Sequence, residues 1–422
     1  MKAFALIDCN NFYVSCERVF NPRLHRKPVI VLSNNDGNVI SRSQEAKDIG
    51  VEMGAPFYQI KKLIEEKGIF VFSSNYELYA DMSDRVRGVL KGFVPEIEYY
   101  SIDECFFSLS GFESKNLDTY CREIKARVEQ WTGIPVSIGV GETKSLAKCA
   151  NKISKKSSKT LGVLNLVGSP FVDKALEQVK IGDVWGVGRA YEIFFKENGI
   201  TTALGFKKAP EPFVKEKMGI VGVRILKELN GISCLPLEMV PPAKKQIGSN
   251  KGFGLLTESL IDLKEAITAY VTRCAEKTRQ EKQAVKTMSV WVSTDPFRND
   301  PQYSESITIE FPVATNYTPV LVKLACKGID RLFKKGYRYK RVGVNFQELV
   351  SADQIQQNLF WSSNTVEEKA LMTVVDQING QCGAGTVRLA GEGFKHSWGT
   401  RFQYKSACYT TRWNELPIVR AC

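Results

Sequence analysis

The sequence predicts an α+β chain of several domains, and three observations predict it. Strand-like apolar runs and amphipathic helical runs alternate from the N-terminus to about residue 165. Between 173 and 233 the strands vanish and apolar residues recur at helical spacing. After the proline-bearing segment "CLPLEMVPPAKKQIG" (234–248), a strand–helix–strand–strand–helix–strand pattern fills 246–350, the order of a ferredoxin-like βαββαβ domain. A chain of 422 residues has room for several such units at roughly 100–200 residues each.

Taken in order, "FALIDCNNFYVSCE" (4–17) begins as a buried strand over 3–8 and stops on a single carboxylate, Asp8. No basic residue follows it before Arg18, so no local cation pairs it. "KPVIVLSNN" (27–35) is a second strand ending in a polar turn, and "GNVISRSQEAKDIGV" passes from strand to helix, with Gly50 as its C-cap. "IEYYSIDECFFSLSG" (97–111) is a long aromatic and β-branched run. "YCREIKARVEQWTG" is helical, with Ile124, Val128 and Trp131 expected on one face. "IPVSIGVGETKSLAKCANKISKK" reads as a strand, a glycine turn and a lysine-studded helix. In the later unit, "LKEAITAYVTRCAEKTRQ" sets Leu263, Ile267, Tyr270, Val271 and Cys274 on one helical face. "VKTMSVWVST", "ESITIEFPV" and "RVGVNFQEL" supply strands, and "VLVKLACKGIDRLFKKG" the second helix. The domain bounds expected are 1–165, 166–233, a linker at 234–245, 246–350 and a tail at 351–422.

Composition narrows the chemistry. The net charge is +12, from 58 Lys+Arg against 46 Asp+Glu, an excess that favours polyanionic partners. With only His25 and His396, histidine metal cages and Ser-His-Asp machinery are poor candidates, leaving carboxylates, hydroxyls and lysines. The eleven cysteines form no C-x-x-C pair, which reads as reduced thiols rather than a disulfide frame or zinc site. No apolar stretch reaches the roughly 20 residues that cross a bilayer, and no secretory signal is visible, so a cytoplasmic protein with no membrane partner is expected.

Asp8 finds natural companions in "YSIDECFF", which carries Asp103 and Glu104. Successive strand residues face opposite sides, so both acids reach one site only near a hairpin bend. Acids on adjacent strands without histidines suit hard, oxygen-loving cations such as Mg²⁺. Two such ions about 3.5–4 Å apart clamp the attacking and leaving oxygens of an in-line phosphoryl displacement.

"DCNNFYVSCE", "YSIDECFF" and "GVGETKSLAKCANKISK", in that order, resemble three signatures of the Y-family translesion DNA polymerases. "SNNDGNVISRSQEAKDIGVEMG" and "FSSNYELYADMSDRV" are more similar to the UmuC-type catalytic subunits of bacterial DNA polymerase V, over nearly the whole chain. The resemblance implies a right-hand polymerase. Its palm and fingers would occupy 1–165 (fingers about 14–75), a helical thumb 166–233 and a little finger 246–350. It implies Asp8, Asp103 and Glu104 as catalytic ligands of two Mg²⁺ ions that bind with the dNTP, and Cys9 as a backbone-carbonyl ligand. It further implies Tyr13 as a steric gate beneath the sugar, Phe12 beside it, and Ser41, Lys47 and Lys155 at the triphosphate. Where some relatives carry tyrosine and arginine, this chain has Gln44 and Lys47, and a lysine cannot offer a bidentate fork.

"DVWGVGRAYEIFFKENGI" (183–200) resembles the thumb's helix-hairpin-helix. Gly186 and Gly188 allow a tight turn, and the helix from Arg189 offers backbone N–H groups to a DNA phosphate. "KKGYRYKR" (334–341) packs Lys334, Lys335, Arg338, Lys340 and Arg341 around two tyrosines, read as a basic strand that tracks a duplex backbone. In "QIQQNLFW", Gln356, Leu359 and Phe360 resemble the peptide that docks bacterial polymerases on the sliding clamp. The resemblance therefore implies error-prone synthesis past lesions in the SOS response. The partners it implies are primer-template DNA, a processed UmuD-type dimer, the RecA filament and the clamp. A nuclease or nucleotidyl cyclase on a similar palm, or a non-catalytic DNA-binding scaffold, are the alternatives. Tyr13, the hairpin and the basic segment weigh against the first two, and the intact acids against the third. Residues 365–422 resemble the tail of UmuC-type subunits and suggest no chemistry of their own.

Overall fold

A computed structural model of the chain describes residues 2–112, 114–356, 358, 365–394, 396, 398–416 and 418. It divides into two units, the first holding 1–33, 37–241 and 404–422, the second 34–36 and 242–403.

The first unit begins with β1 (Phe4–Cys9), α1 (Phe12–Phe20), β2 (Val29–Leu32), β3 (Val39–Arg42), α2 (Gln44–Asp48), α3 (Phe57–Lys67), β4 (Phe70–Ser73) and α4 (Tyr76–Lys91). Then come β5 (Ile97–Tyr99), β6 (Glu104–Ser108), α5 (Leu117–Thr132), β7 (Val136–Gly141), α6 (Lys144–Ser154) and β8 (Val163–Asn165). A five-stranded sheet runs β5-β6-β1-β7-β8, and a three-stranded sheet runs β3-β2-β4. Every residue of β1 is buried, because α1, α4 and α5 cover one face of the large sheet and α6 the other. That is why its sequence reads as a continuous apolar run rather than an alternating one. On α5 the buried stripe follows Ile124, Val128 and Thr132. Trp131, expected on that face, is instead 64% exposed, with the Arg127 guanidinium over its ring at 5.0 Å. The stripe keeps to the four-residue row, and the bulky indole falls just off its edge.

Four helices follow: α7 (Val172–Glu177), α8 (Arg189–Glu197), α9 (Ala203–Lys207) and α10 (Glu211–Leu229). They close on Leu176, Ile181, Phe195, Phe206 and Val214, as the loss of strand patterning there predicts.

The second unit contains β9 (Ile247–Thr257), α11 (Leu260–Gln280), β10 (Gln283–Thr294), β11 (Ser304–Thr315), α12 (Thr318–Leu332), β12 (Tyr339–Ser351) and α13 (Val366–Cys382). Its antiparallel sheet runs β11-β10-β12-β9, so each helical crossover skips one strand, as in a split βαβ pair. Leu263, Ile267, Tyr270, Val271 and Cys274 all lie in its core, as the periodicity of α11 indicates. Tail helix α13 begins with a capping box of Thr365 and Glu368 and docks through Asp376, whose two oxygens accept from Arg279 at 2.7 and 2.8 Å. No helix among the described residues is long and apolar enough to cross a membrane.

Candidate active site

The bend between β5 and β6 sets the acids. β6 starts at Glu104, whose Cα partner across the sheet is Asp8 at the end of β1. Asp103, in the bend, accepts the Cys9 backbone N–H on its own carbonyl at 2.9 Å, and its carboxylate accepts the Ser101 hydroxyl at 2.6 Å. Asp8, Cys9 and Asp103 line a cavity of about 340 Å³. Glu104 lies across the strand pair from Asp8. The hairpin bend the sequence required is present.

Asp8 is not left without a cation, contrary to the reading of its local sequence. The Lys155 ammonium, at the C-cap of α6, pairs with it, and Lys148 of α6 bonds both Glu104 oxygens at 3.1 and 3.3 Å. Neither lysine is near the acids in sequence; α6 brings them by crossing the face of β1 and β7. Burial pushes the Asp8 carboxyl up to about 7, against the pull of Lys155 and with the Glu104 charge adding to the rise. Burial likewise drives the Cys9 thiol well above its usual range. With each acid turned to its own partner, no three Asp, Glu, His or Cys side chains among the described residues converge on one metal position. The donor set nonetheless fits a hard cation: three carboxylates and a backbone carbonyl at one sheet end, all oxygen.

Opposite the acids the same cavity is cationic. It is lined by Ser41, Arg42, Lys47 and Lys155. Lys47 Nζ donates to Asn11 Oδ1 at 2.7 Å, and its pKa falls through burial and the neighbouring Arg42 and Lys155 charges. Arg42 is the residue that sequence reading missed, although it stands directly after Ser41. Its side chain lines the cavity while its guanidinium donates to the Val51 carbonyl; Gln44, by contrast, turns to Asp48 at 2.7 Å. The lysines of α6 were also partly missed, although 144, 148 and 152 repeat at a helical spacing of four.

The remaining wall is aromatic. Phe12 is buried, and Tyr13 stands half-buried in the cavity, its phenol pushed up to about 12 by burial. Tyr13 stacks on Tyr79 of α4, with centroids 4.6 Å apart and 17° between planes, and meets the edge of Tyr76 at 5.9 Å.

Away from the cavity, Gly186 has φ +87°, and a Cβ there would lie 2.4 Å from Ile225. Gly188 is the N-cap of α8, which begins at Arg189 with no side-chain cap. In the second unit, "KKGYRYKR" is not one strand. Lys334, Lys335 and Arg338 lie in the exposed loop before β12, and only Lys340 and Arg341 are on the strand. Its tyrosines are structural: Tyr339 is buried and bonded to the Lys334 backbone, and Tyr337 packs on Tyr303. Lys340 is half-buried and donates to the Phe253 carbonyl at 2.8 Å. The aromatics interleaved with these cations pack inward, on Tyr303 and the Lys334 backbone. Gln356 is exposed, while Leu359 and Phe360 lie outside the described residues.

The impB/mucB/samB family model matches residues 7–152, its C-terminal domain model 244–359, and a domain of unknown function, DUF4113, 369–419. The chain is 38% identical to Protein ImpB of Salmonella typhimurium over 422 residues, covering 99% of each. It is 39% identical to Protein UmuC of Salmonella typhimurium strain LT2 over 421 residues, covering 99% of this chain and 100% of that protein. Among solved structures, a Y-family DNA polymerase chimera of Dbh and Dpo4 superposes with a TM-score of 0.68 at 20% identity, covering 82% of this chain and 99% of that one. At that identity the match speaks for the fold, a right-hand polymerase with a separate ferredoxin-like unit.

Proposed function

The chain belongs to the impB/mucB/samB family, the UmuC-type branch of the Y-family DNA polymerases, and from that premise we propose how it works as a DNA-directed, translesion DNA polymerase. One observation carries the proposal: Asp8 and Asp103, the basic residues Arg42, Lys47 and Lys155, and the aromatics Phe12 and Tyr13 line one cavity of about 340 Å³. Asp8, Asp103 and Glu104, with the Cys9 carbonyl, would hold Mg²⁺, whose chemistry when bound is to offset charge on the attacking and leaving oxygens.

The chain's own groups do the rest. Arg42, Lys47 and Lys155 with the Ser41 hydroxyl receive the triphosphate and steady the charge that shifts to the leaving pyrophosphate as the primer 3′-hydroxyl displaces it. Lys155 pairs with the buried Asp8 and Lys148 with the half-buried Glu104, offsetting their charge in the fold. Tyr13 closes the cavity under the sugar and leaves no room for a 2′-hydroxyl. Gly186, Gly188 and the start of α8 at Arg189 present backbone N–H groups to a DNA phosphate. Lys334, Lys335, Arg338 and Arg341 face solvent for the duplex backbone, with Lys340 anchoring their strand. Primer-template DNA is the substrate. An SOS setting with a processed UmuD-type dimer, the RecA filament and the sliding clamp, through Gln356, Leu359 and Phe360, follows from the family.

The test is primer extension on an abasic template with Mg²⁺, four dNTPs and these partners. Extension past the lesion, reduced at least about 100-fold by Asp103→Ala, is expected. Extension that survives the substitution removes the carboxylate mechanism. No extension with DNA binding intact favours a non-catalytic subunit.

A further inference from the structure

The chain's tail returns to the nucleotide cavity from behind. Residues 404–416 fold with the first unit, far in sequence from everything they touch there. Tyr404 N–H donates to the Ser73 hydroxyl at 2.9 Å, and Ser73 N–H to the Tyr404 carbonyl at 3.0 Å, on the edge strand β4. Asn75 is fully buried and caps α4 by accepting the Leu78 N–H; its Nδ2 donates to the Ser406 and Ala407 carbonyls at 3.1 and 3.2 Å. The Ser406 hydroxyl donates to Glu17 Oε1 at 3.0 Å, and the Tyr79 hydroxyl to that same oxygen at 2.6 Å. Tyr409 stacks on Phe20 of α1, and Arg412 pairs with Glu77 of α4 at 2.9 Å.

Apart from the Tyr404–Ser73 pair on β4, these contacts converge on two elements. Glu17 lies on α1, one turn beyond Tyr13; Asn75 is the cap of α4, which carries Tyr76 and Tyr79. The tail thus holds both the helix bearing the cavity's tyrosine and the helix bearing the ring stacked on it. Glu17 is 2% exposed, so its oxygen has protein hydroxyls rather than water as partners. Loss of the Ser406 hydroxyl leaves a buried carboxylate short of a donor, and the Tyr79 hydroxyl that shares the oxygen loses its fixed register.

We infer that the tail segment 404–412 is a positioning element for nucleotide selection: through Ser406, Glu17 and Tyr79 it fixes the Tyr13 ring that lies against the sugar. The inference rests on the proposed gate role of Tyr13. It gives a part of the tail that matches a domain of unknown function a task inside the polymerase itself.

The test uses the full chain with its DNA and partners, comparing kcat/KM for deoxy- and ribonucleotides on an undamaged template. Tyr13→Ala should relax sugar selection. Ser406→Ala should lower it about threefold, the scale of one hydrogen bond, and Ser406→Thr should restore it. Combined with Tyr13→Ala, Ser406→Ala should have no further effect on the ratio. An unchanged ratio in Ser406→Ala, or equal losses for both nucleotides, overturns the inference while leaving the gate. An unchanged ratio in Tyr13→Ala removes the gate, and the inference with it.

Discussion

Glu17 is an acid buried on a helix with hydroxyls, not cations, for partners. Burial pushes its carboxyl up to about 7, outweighing the Tyr79 and Ser406 hydrogen bonds that favour the ion. An unfolded glutamate titrates near 4.5, so between that pH and about 7 the folded chain keeps a proton that the unfolded chain has lost. The contribution is whole below the unfolded value and falls away as pH rises through 7, by at most about 3 kcal/mol. Asp8, raised to the same region by burial, acts with the same sign. The thermal midpoint of the wild type is therefore expected to drop between about pH 5 and pH 8, and Glu17→Gln to shallow that drop. A slope unaltered by the substitution would mean Glu17 is already ionised at pH 5. Little of this was legible locally: nothing in "SCERVF" says that position 17 meets a tyrosine of α4 and a serine of the tail.

The strand β7 and helix α6 make the site possible by their closeness. A Cβ on Gly139 would stand 2.1 Å from the Asn151 nitrogen and 2.3 Å from the Ala147 carbonyl, and one on Gly141 would stand 2.7 Å from Leu146 Cβ. Glycine at both positions lets the helix backbone lie directly on the strand, which is what carries Lys148 and Lys155 within reach of Glu104 and Asp8. Gly139→Ala meets rigid backbone and not a side-chain end, so it should cost more than about 3 kcal/mol or abolish folding of the first unit. Wild-type expression and melting of that variant would show the contact to be looser than drawn. Here the sequence was half legible. "SIGVGETKSLAKCANK" announces a strand, a turn and a basic helix, but not that the glycines serve the packing or that the lysines answer the acids.

Across the whole molecule the excess of twelve positive charges is a long-range attraction for nucleic acid, independent of base sequence. Each phosphate contact steepens the salt dependence by roughly 0.9 in log–log slope. Replacing Lys334, Lys335, Arg338 and Arg341 by serine should flatten that slope by up to about 3.6 units in titrations of primer-template against salt. An unchanged slope would take the duplex contact away from this loop and strand end. Burial decides which cations belong in that set: Lys340 sits in the same run and is spent on a backbone carbonyl.

By itself the sequence determined most strands and helices up to residue 350, though not the tail helix α13, and marked Asp8, Asp103 and Glu104 as acids set in apolar runs. Those follow from periodicities of two and nearly four residues, and from charges set inside apolar runs, which are local properties. Tertiary structure decided what each group meets. It gave Asp8 and Glu104 their lysines, put Arg42 on the wall of the cavity beside Asp8, turned Trp131 off its expected face, buried Tyr339 of "KKGYRYKR", and brought Ser406 to Glu17. A hydrogen bond or ion pair between residues hundreds of positions apart leaves no local periodic trace. Only the packing of one element on another, set by volume and burial, selects it.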